Sequence, residues 1–408
     1  MHIHHYWDSQ RQLPGGGLCW SALVRLICTA LLALCAFSLV SASAQTFETK
    51  AKQALVMDFE SRSILFQKNA DQLMPPASMA KLMTMEVVFN ALESGRMTME
   101  STFTISEDAW RRGGTNSGGS TMFAKLNSDI ALQDLVRGVI IQSGNDASIA
   151  IAEGMAGSEA GFAGLMNQRA RAIGLENSVF TNSTGLPDPN QKVTARDLAT
   201  LARHLIATYP EHYKIYSEPE FTWNRVRQRN RNPILGRVDG ADGLKTGFTS
   251  ASGYGLVGSA VQDGRRVIIV LNGMESQRER SAEAIKLMRW AFRAFQPLDL
   301  FAEGEIVGEA TLYGGARSGV PLTAKGALQI FVPVGFRDRL RAEIVFEGPI
   351  KAPVTKGAQV AKLQVLVDGK VSQETPLYAA EDVGTGSVTQ RAMDAVQELL
   401  VGAIRFGD

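Results

Sequence analysis

Cysteine is nearly missing from this chain. The 408 residues hold three, Cys19, Cys28 and Cys35, and all three fall in a leading stretch that reads as a targeting segment. Ala22 to Val40 is mostly apolar, is interrupted by Arg25, and ends in Ser41-Ala42-Ser43-Ala44, the small-residue signature of a cleavage site. A signal peptide over 1–44, cut after Ala44, is expected; the alternative is an uncleaved membrane anchor. Leu34 before Cys35 is too large for the usual lipoprotein acylation pattern. Once the leader is gone no thiol remains, which excludes disulfides and thiolate chemistry. Histidine is almost as scarce, with five in the chain and only His204 and His212 beyond the leader. Two histidines without cysteine do not make a histidine-rich zinc site, so no metal or other cofactor is expected. His204 sits in an amphipathic stretch from Thr194 to Ile206, where a structural role fits. A surplus of either charge is lacking too. Without Arg11, Arg25 and Asp8 of the leader, the 42 basic and 41 acidic residues fall to 40 of each, and no electrostatic case exists for nucleic-acid binding. The basic run Arg225 to Arg231 reads as a solvated loop.

What is present is patterned. The mature length exceeds what one core usually spans, so two domains are expected. The first, over 45–296, opens with the hairpin Ala54–Asp58 and Ser63–Phe66. Helical segments follow from Ser78 to about Gly95, Leu132 to Gln142, Ala147 to Met155, Gly161 to Ala172, and from Thr194, where Thr194-Ala-Arg-Asp197 resembles a capping box. Leu82, Met83, Val87, Val88, Ala91 and Leu92 mark an apolar face on the helix after Ser78. The runs Gly253–Ala260 and Arg265–Leu271, joined by Asp263-Gly264, predict a tight hairpin, and a helix from about Arg280 to Phe295 closes the domain. Strands at both ends with helices between imply an α/β fold: one antiparallel sheet flanked by helices, with a helical subdomain inserted. From Gln296-Pro297 the pattern changes to short strands at the spacing of a small β-sandwich, expected over 297–382. After a Gly-rich joint comes an amphipathic helix over 387–408, with Val388, Ala392, Ala395, Val396, Leu399, Leu400 and Ala403 on one face.

Three short motifs stand in fixed order in the first domain: Ser78-Met79-Ala80-Lys81, Ser143-Gly144-Asn145 and Lys245-Thr246-Gly247. Each is weak alone; their order and local context make coincidence improbable. Serine becomes a nucleophile when a neighbouring base takes its proton. Lys81, three residues on, projects from the same helical face. It serves as that base only if burial or a second cation lowers its pKa, and Lys245 is the candidate second cation. Ser143 is a candidate to pass a proton to the leaving group, and Asn145 to orient Lys81 or the substrate amide. The strand carrying Lys245 is expected at a sheet edge, free to align a substrate backbone. Gly247 there leaves room for close approach, while Thr246 and Lys245 face a substrate carboxylate. The backbone N–H groups of Ser78 and Phe248 form the natural oxyanion pair.

On these motifs, with Tyr254 shortly after the third, the chain resembles the low-molecular-weight penicillin-binding proteins of the D-alanyl-D-alanine carboxypeptidase class. The likeness runs from about Gln53 to the C-terminus, and Glu347–Pro353 and Pro376–Ala380 resemble the β domain of that class. The resemblance implies the penicillin-binding transpeptidase and β-lactamase-like fold. It implies removal of the terminal D-alanine from peptidoglycan stem pentapeptides, and β-lactam antibiotics as covalent inhibitors. It also implies a periplasmic enzyme held at the membrane surface by its C-terminal helix, and it places Arg280 near the substrate carboxylate. Three readings compete. A class A β-lactamase should have Asp where Gly144 stands, and a Glu-x-x-x-Asn pair where Glu176 is followed by Phe180. A D,D-endopeptidase would use the same three motifs, though the β domain favours the carboxypeptidase. A non-catalytic wall-binding protein would have no need of an intact Ser78, Lys81 and Lys245.

Overall fold

The computed structural model describes residues 47–334, 340–367 and 369–395. The expected leader with its cleavage site, and the C-terminal helix beyond 395, lie outside the described residues. The predicted opening hairpin is β1 (Gln53–Asp58) and β2 (Ile64–Lys68). The next strands form two small antiparallel pairs, β3 (Thr102–Thr104) with β4 (Asp129–Ala131) and β5 (Glu220–Trp223) with β6 (Val226–Arg229). The main sheet is completed by β7 (Ala241–Thr249), β8 (Gly253–Gln262) and β9 (Arg265–Met274) in the order β2-β1-β9-β8-β7, antiparallel throughout. Asp263 and Gly264 both take positive φ, as a two-residue hairpin with the twist of its strands requires. The strand bearing Lys245 is thus an edge, as its sequence context implies.

Ser78 lies in a 3-10 turn, Ala77–Ala80, that runs into α1 (Lys81–Glu93). The sequence predicts one apolar face for α1. Instead every residue from Lys81 to Phe89 is buried, because α1 runs through the middle of the domain and is packed all round. The expected helix Leu132–Gln142 is α2 (Leu132–Arg137) followed by a wider π turn, Gly138–Gln142. α3 (Asn145–Ala156) and α4 (Glu159–Ala172) complete the helical subdomain. α5 (Ala195–Thr208) is capped by Thr194, whose side chain accepts from the Asp197 N–H at 3.0 Å. α6 (Gln277–Arg293) begins one turn before its predicted start because Ser276 caps it, accepting from the Glu279 N–H at 3.1 Å.

Strand pairing of the second domain starts at Phe295, the residue at which the sequence predicts the preceding helix to end; that helix stops at Arg293. β10 (Phe295–Phe301) pairs with β13 (Leu328–Pro333). The larger sheet comprises β11 (Ile306–Tyr313), β12 (Gly319–Thr323), β14 (Leu340–Val345), β15 (Ile350–Lys351), β16 (Gln359–Val367) and β17 (Lys370–Ala379), ordered β14-β16-β17-β12-β11-β15. Its own core includes Leu312, Leu322, Ile330, Leu363 and Leu377. The domains meet at Arg265, which pairs with Asp58 at 3.1 Å and lies 3.8 Å from the Phe331 ring centroid; beside it Ser63 donates to Gln373. The C-terminal helix starts at 388. Asp394 accepts from the Gly314 N–H at 2.8 Å, while Val388 and Met393 are 74% and 75% exposed.

Candidate active site

The fold brings the three motifs to one place. The Lys81 amine is fully buried beneath the Ser78 turn. Its Nζ is 3.1 Å from Ser78 Oγ, 2.7 Å from Asn145 Oδ1 and 2.5 Å from the Thr184 carbonyl oxygen. A neutral amine has two hydrogens and one lone pair. Two hydrogen bonds, to Asn145 and Thr184, leave the lone pair for the Ser78 hydroxyl. Burial first, and then the charge of Arg231, pull Lys81 down from its ordinary 10.5 to about 7, against the opposing pull of Asp146 and Glu159.

The second motif leaves the π turn at Ser143, which is held at φ +67° with its Oγ buried and without a hydrogen-bond partner. A strained residue with an unmade hydrogen bond belongs at a site awaiting a ligand. Gly144 has no room for a side chain, since a Cβ there would stand 2.9 Å from Asp146 Oδ1 and 3.1 Å from the Met122 N–H nitrogen. That crowding explains why the aspartate of a class A β-lactamase has no place here. Asp146 is wholly buried and satisfied, accepting from Thr121 Oγ1 at 2.6 Å and from the N–H groups of Met122, Ala124 and Ala147. It fastens the 121–124 segment to the motif turn.

The third motif enters along β7. Lys245 is buried, with its Nζ 3.3 Å from the Thr246 carbonyl oxygen. Desolvation holds its pKa well below the usual lysine range, and the charges of Lys81, Arg231 and Arg280 add to the shift. Gly247 permits a close approach, but of the protein's own chain: a Cβ there would lie 3.0 Å from the Pro76 carbonyl oxygen and 3.1 Å from Ala77 Cβ. The glycine thus lets β7 pack against the turn just ahead of Ser78. Phe248 is half exposed and stacks on Tyr254 at 4.0 Å between centroids. Arg280, in the first turn of α6, lies 5.7 Å from the Tyr254 ring centroid; it is buried, and its Nε has no partner. Burial depresses it to about 10.

Sequence reasoning missed three participants. Thr184 contributes a carbonyl, which any residue carries, so its type gave no signal. Asp146, one residue past the second motif, looks in the sequence like any acidic residue at a helix start. Arg231 looked like one member of a solvated basic loop, yet its Nη1 donates to Ser120 Oγ at 2.6 Å and its charge bears on Lys81, Lys245 and Arg280.

Residues 39–276 match the family described as D-alanyl-D-alanine carboxypeptidase, and residues 295–385 match that described as penicillin-binding protein 5, C-terminal domain. The chain belongs to the D-alanyl-D-alanine carboxypeptidase family. It is 37% identical to the D-alanyl-D-alanine carboxypeptidase DacA of Haemophilus influenzae, over 90% of this chain and 94% of that one. It is 38% identical to DacC of Escherichia coli, over 87% and 90%. The crystal structure of penicillin binding protein 5 from Haemophilus influenzae superposes with a TM-score of 0.71, covering 84% of this chain and all of that one. This D-alanyl-D-alanine carboxypeptidase is accordingly a serine-type hydrolase with the penicillin-binding α/β fold and a β-rich second domain.

Proposed function

We propose that the enzyme removes the terminal D-alanine from peptidoglycan pentapeptides through an acyl-enzyme on Ser78. The observation that carries this reading is a set of three cations around the neutral Lys81 amine: Lys245, Arg231 and Arg280, none in a salt bridge among the described residues, with the Arg280 Nε buried and unpartnered. Buried cations call for an anion. A peptide ending in a free carboxylate supplies one; an internal peptide bond does not.

In this reading the carboxylate lies against Lys245, Thr246 and Arg280; its charge keeps Lys245 protonated, and that cation in turn helps hold Lys81 neutral. Ser78 Oγ attacks the penultimate D-alanine carbonyl as its proton passes to Lys81, and the oxyanion meets the N–H groups of Ser78 and Phe248. The proton then travels by way of Ser143 to the leaving nitrogen, the C–N bond breaks and D-alanine departs. Water gives its proton to Lys81 and attacks the ester carbonyl; the C–O bond breaks and Ser78 Oγ takes the proton back from Lys81. A general base of this kind is worth about 10²–10⁴ in rate, and each oxyanion donor about 10²–10³. A β-lactam follows the same course, but its leaving nitrogen stays tethered, so water is blocked. Peptidoglycan and penicillin are thus the ligands the cleft suits.

The working place of such an enzyme is the periplasm, reached by the leader and held at the membrane by the C-terminal helix. In support, that helix holds to the β domain through Asp394 and leaves Val388 and Met393 exposed. No helix of the described residues is long and apolar enough to cross a membrane, so attachment would be interfacial. The test is incubation with a fluorescent penicillin and mapping of the labelled peptide, together with an assay of D-alanine release from a peptide ending in D-Ala-D-Ala. Ser78→Ala should abolish labelling with the fold intact; labelling at another serine overturns the assignment. Cleavage of cross-links without D-alanine release would favour the endopeptidase.

A further inference from the structure

The Thr184 carbonyl directs the Lys81 amine, yet it lies on a loop between α4 and α5 rather than in a regular element. What holds that loop is a carboxylate outside all three motifs. Glu159, at the start of α4, has a side chain only 12% exposed. Its Oε1 accepts from the Ser183 N–H at 3.1 Å and from Ser183 Oγ at 2.9 Å, and its Oε2 pairs with Arg112 at 2.9 Å. Ser183 in turn gives its carbonyl to Thr84 Oγ1 at 2.7 Å, on α1 three residues beyond Lys81. On the far side of Thr184, Asn182 Oδ1 takes the Gly185 N–H at 2.7 Å. The carbonyl that meets Lys81 is therefore gripped on both sides, and one grip is a carboxylate.

We propose that Glu159 is a positioning residue for Lys81, acting through Ser183 and the carbonyl of Thr184. If that carbonyl drifts, one hydrogen of the neutral amine loses its acceptor and turns toward Ser78 Oγ. The lone pair then no longer faces the hydroxyl. The carboxylate also acts through its charge. Lys81 is faced by Asp146 from α3, by Glu159 from α4, by Arg231 from the segment after β6 and by Lys245 from β7; the two carboxylates favour its protonated form and the two cations oppose it. Removing the Glu159 charge leaves Arg112 less compensated, which pushes in the same direction as the cations. The proposal rests on Lys81 being the base for Ser78.

The experiment measures the rate constant for penicillin acylation against pH for the wild type, Glu159→Gln and Glu159→Ala, with a thermal melt of each. In Glu159→Gln the amide oxygen still accepts from Ser183 while the charge is gone. Its plateau should stay within about threefold of the wild type, and its acidic limb should move to lower pH by about half a unit. Glu159→Ala loses both effects, and its plateau should fall by about tenfold or more. A loss of folded protein scales the amplitude and leaves the midpoint alone. A Glu159→Ala plateau within about threefold of the wild type overturns the positioning role, and an acidic limb that stays in place in Glu159→Gln overturns the charge effect. A wild-type profile with no acidic limb would instead sink the role of Lys81 as base, and this proposal with it.

Discussion

Lys81, the proposed base, shows how a buried amine works against the fold that holds it. Its pKa of about 7 in the folded protein lies below its ordinary 10.5. Between these values the unfolded chain binds more protons than the folded one, so the stability penalty is complete at about 7 and below and fades as pH rises toward 10.5. In urea titrations, the stability difference between wild type and Lys81→Met should move in favour of the wild type as pH rises through that window. A difference that does not change with pH would mean the amine is not depressed. That Ser78, Lys81 and Asn145 meet was legible in the sequence, because their proposed chemistry resides in side-chain type at short spacing. Thr184 and Glu159 were not, since one offers only a backbone carbonyl and the other looks like any acidic residue in the first turn of a helix. Arg231 was hidden by its basic neighbours, and only the fold tells a cleft arginine from a solvated one.

Among the elements, glycines decide how closely the parts of the site approach. Gly185, at φ +80°, lies against the Ser78 turn: a Cβ there would stand 1.9 Å from the Ala77 carbonyl oxygen. Gly185→Ala should cost at least about 1–2 kcal/mol from the backbone conformation alone, before the clash is added. Penicillin acylation per folded molecule should drop by tenfold or more, roughly the share of a misplaced base. A variant that melts lower but acylates normally would show that the contact is merely structural. Of the fold, the β8–β9 hairpin was readable because Asp263-Gly264 meets a specific backbone demand. The all-round burial of α1 was not, since a helix in the middle of a domain and one on its surface share the same strongest apolar positions. The π turn was also invisible: the Ser143 N–H reaches back five residues to the Gly138 carbonyl, and no residue type announces that bond.

At the scale of the whole molecule, the enzyme domain is joined to its β domain at Arg265, and the β domain carries the start of the C-terminal helix. Deleting Val388 to Asp408 should release the protein from membranes in a soluble form that still binds penicillin, since no residue of the three motifs is lost. Sedimentation of the truncated protein with membranes, or a freely soluble full-length protein, would defeat the anchor reading. A chain of net charge +1 that gathers Lys245, Arg231 and Arg280 around one site, none of them in a salt bridge among the described residues, concentrates its field there. Such a patch steers an anionic peptide toward the cleft during diffusion, and salt weakens that pull, with a screening length of about 10 Å at 0.1 M. Raising the ionic strength should therefore lower kcat/KM for the free acid while leaving kcat in place, and a methyl ester of the same peptide should show no such slope.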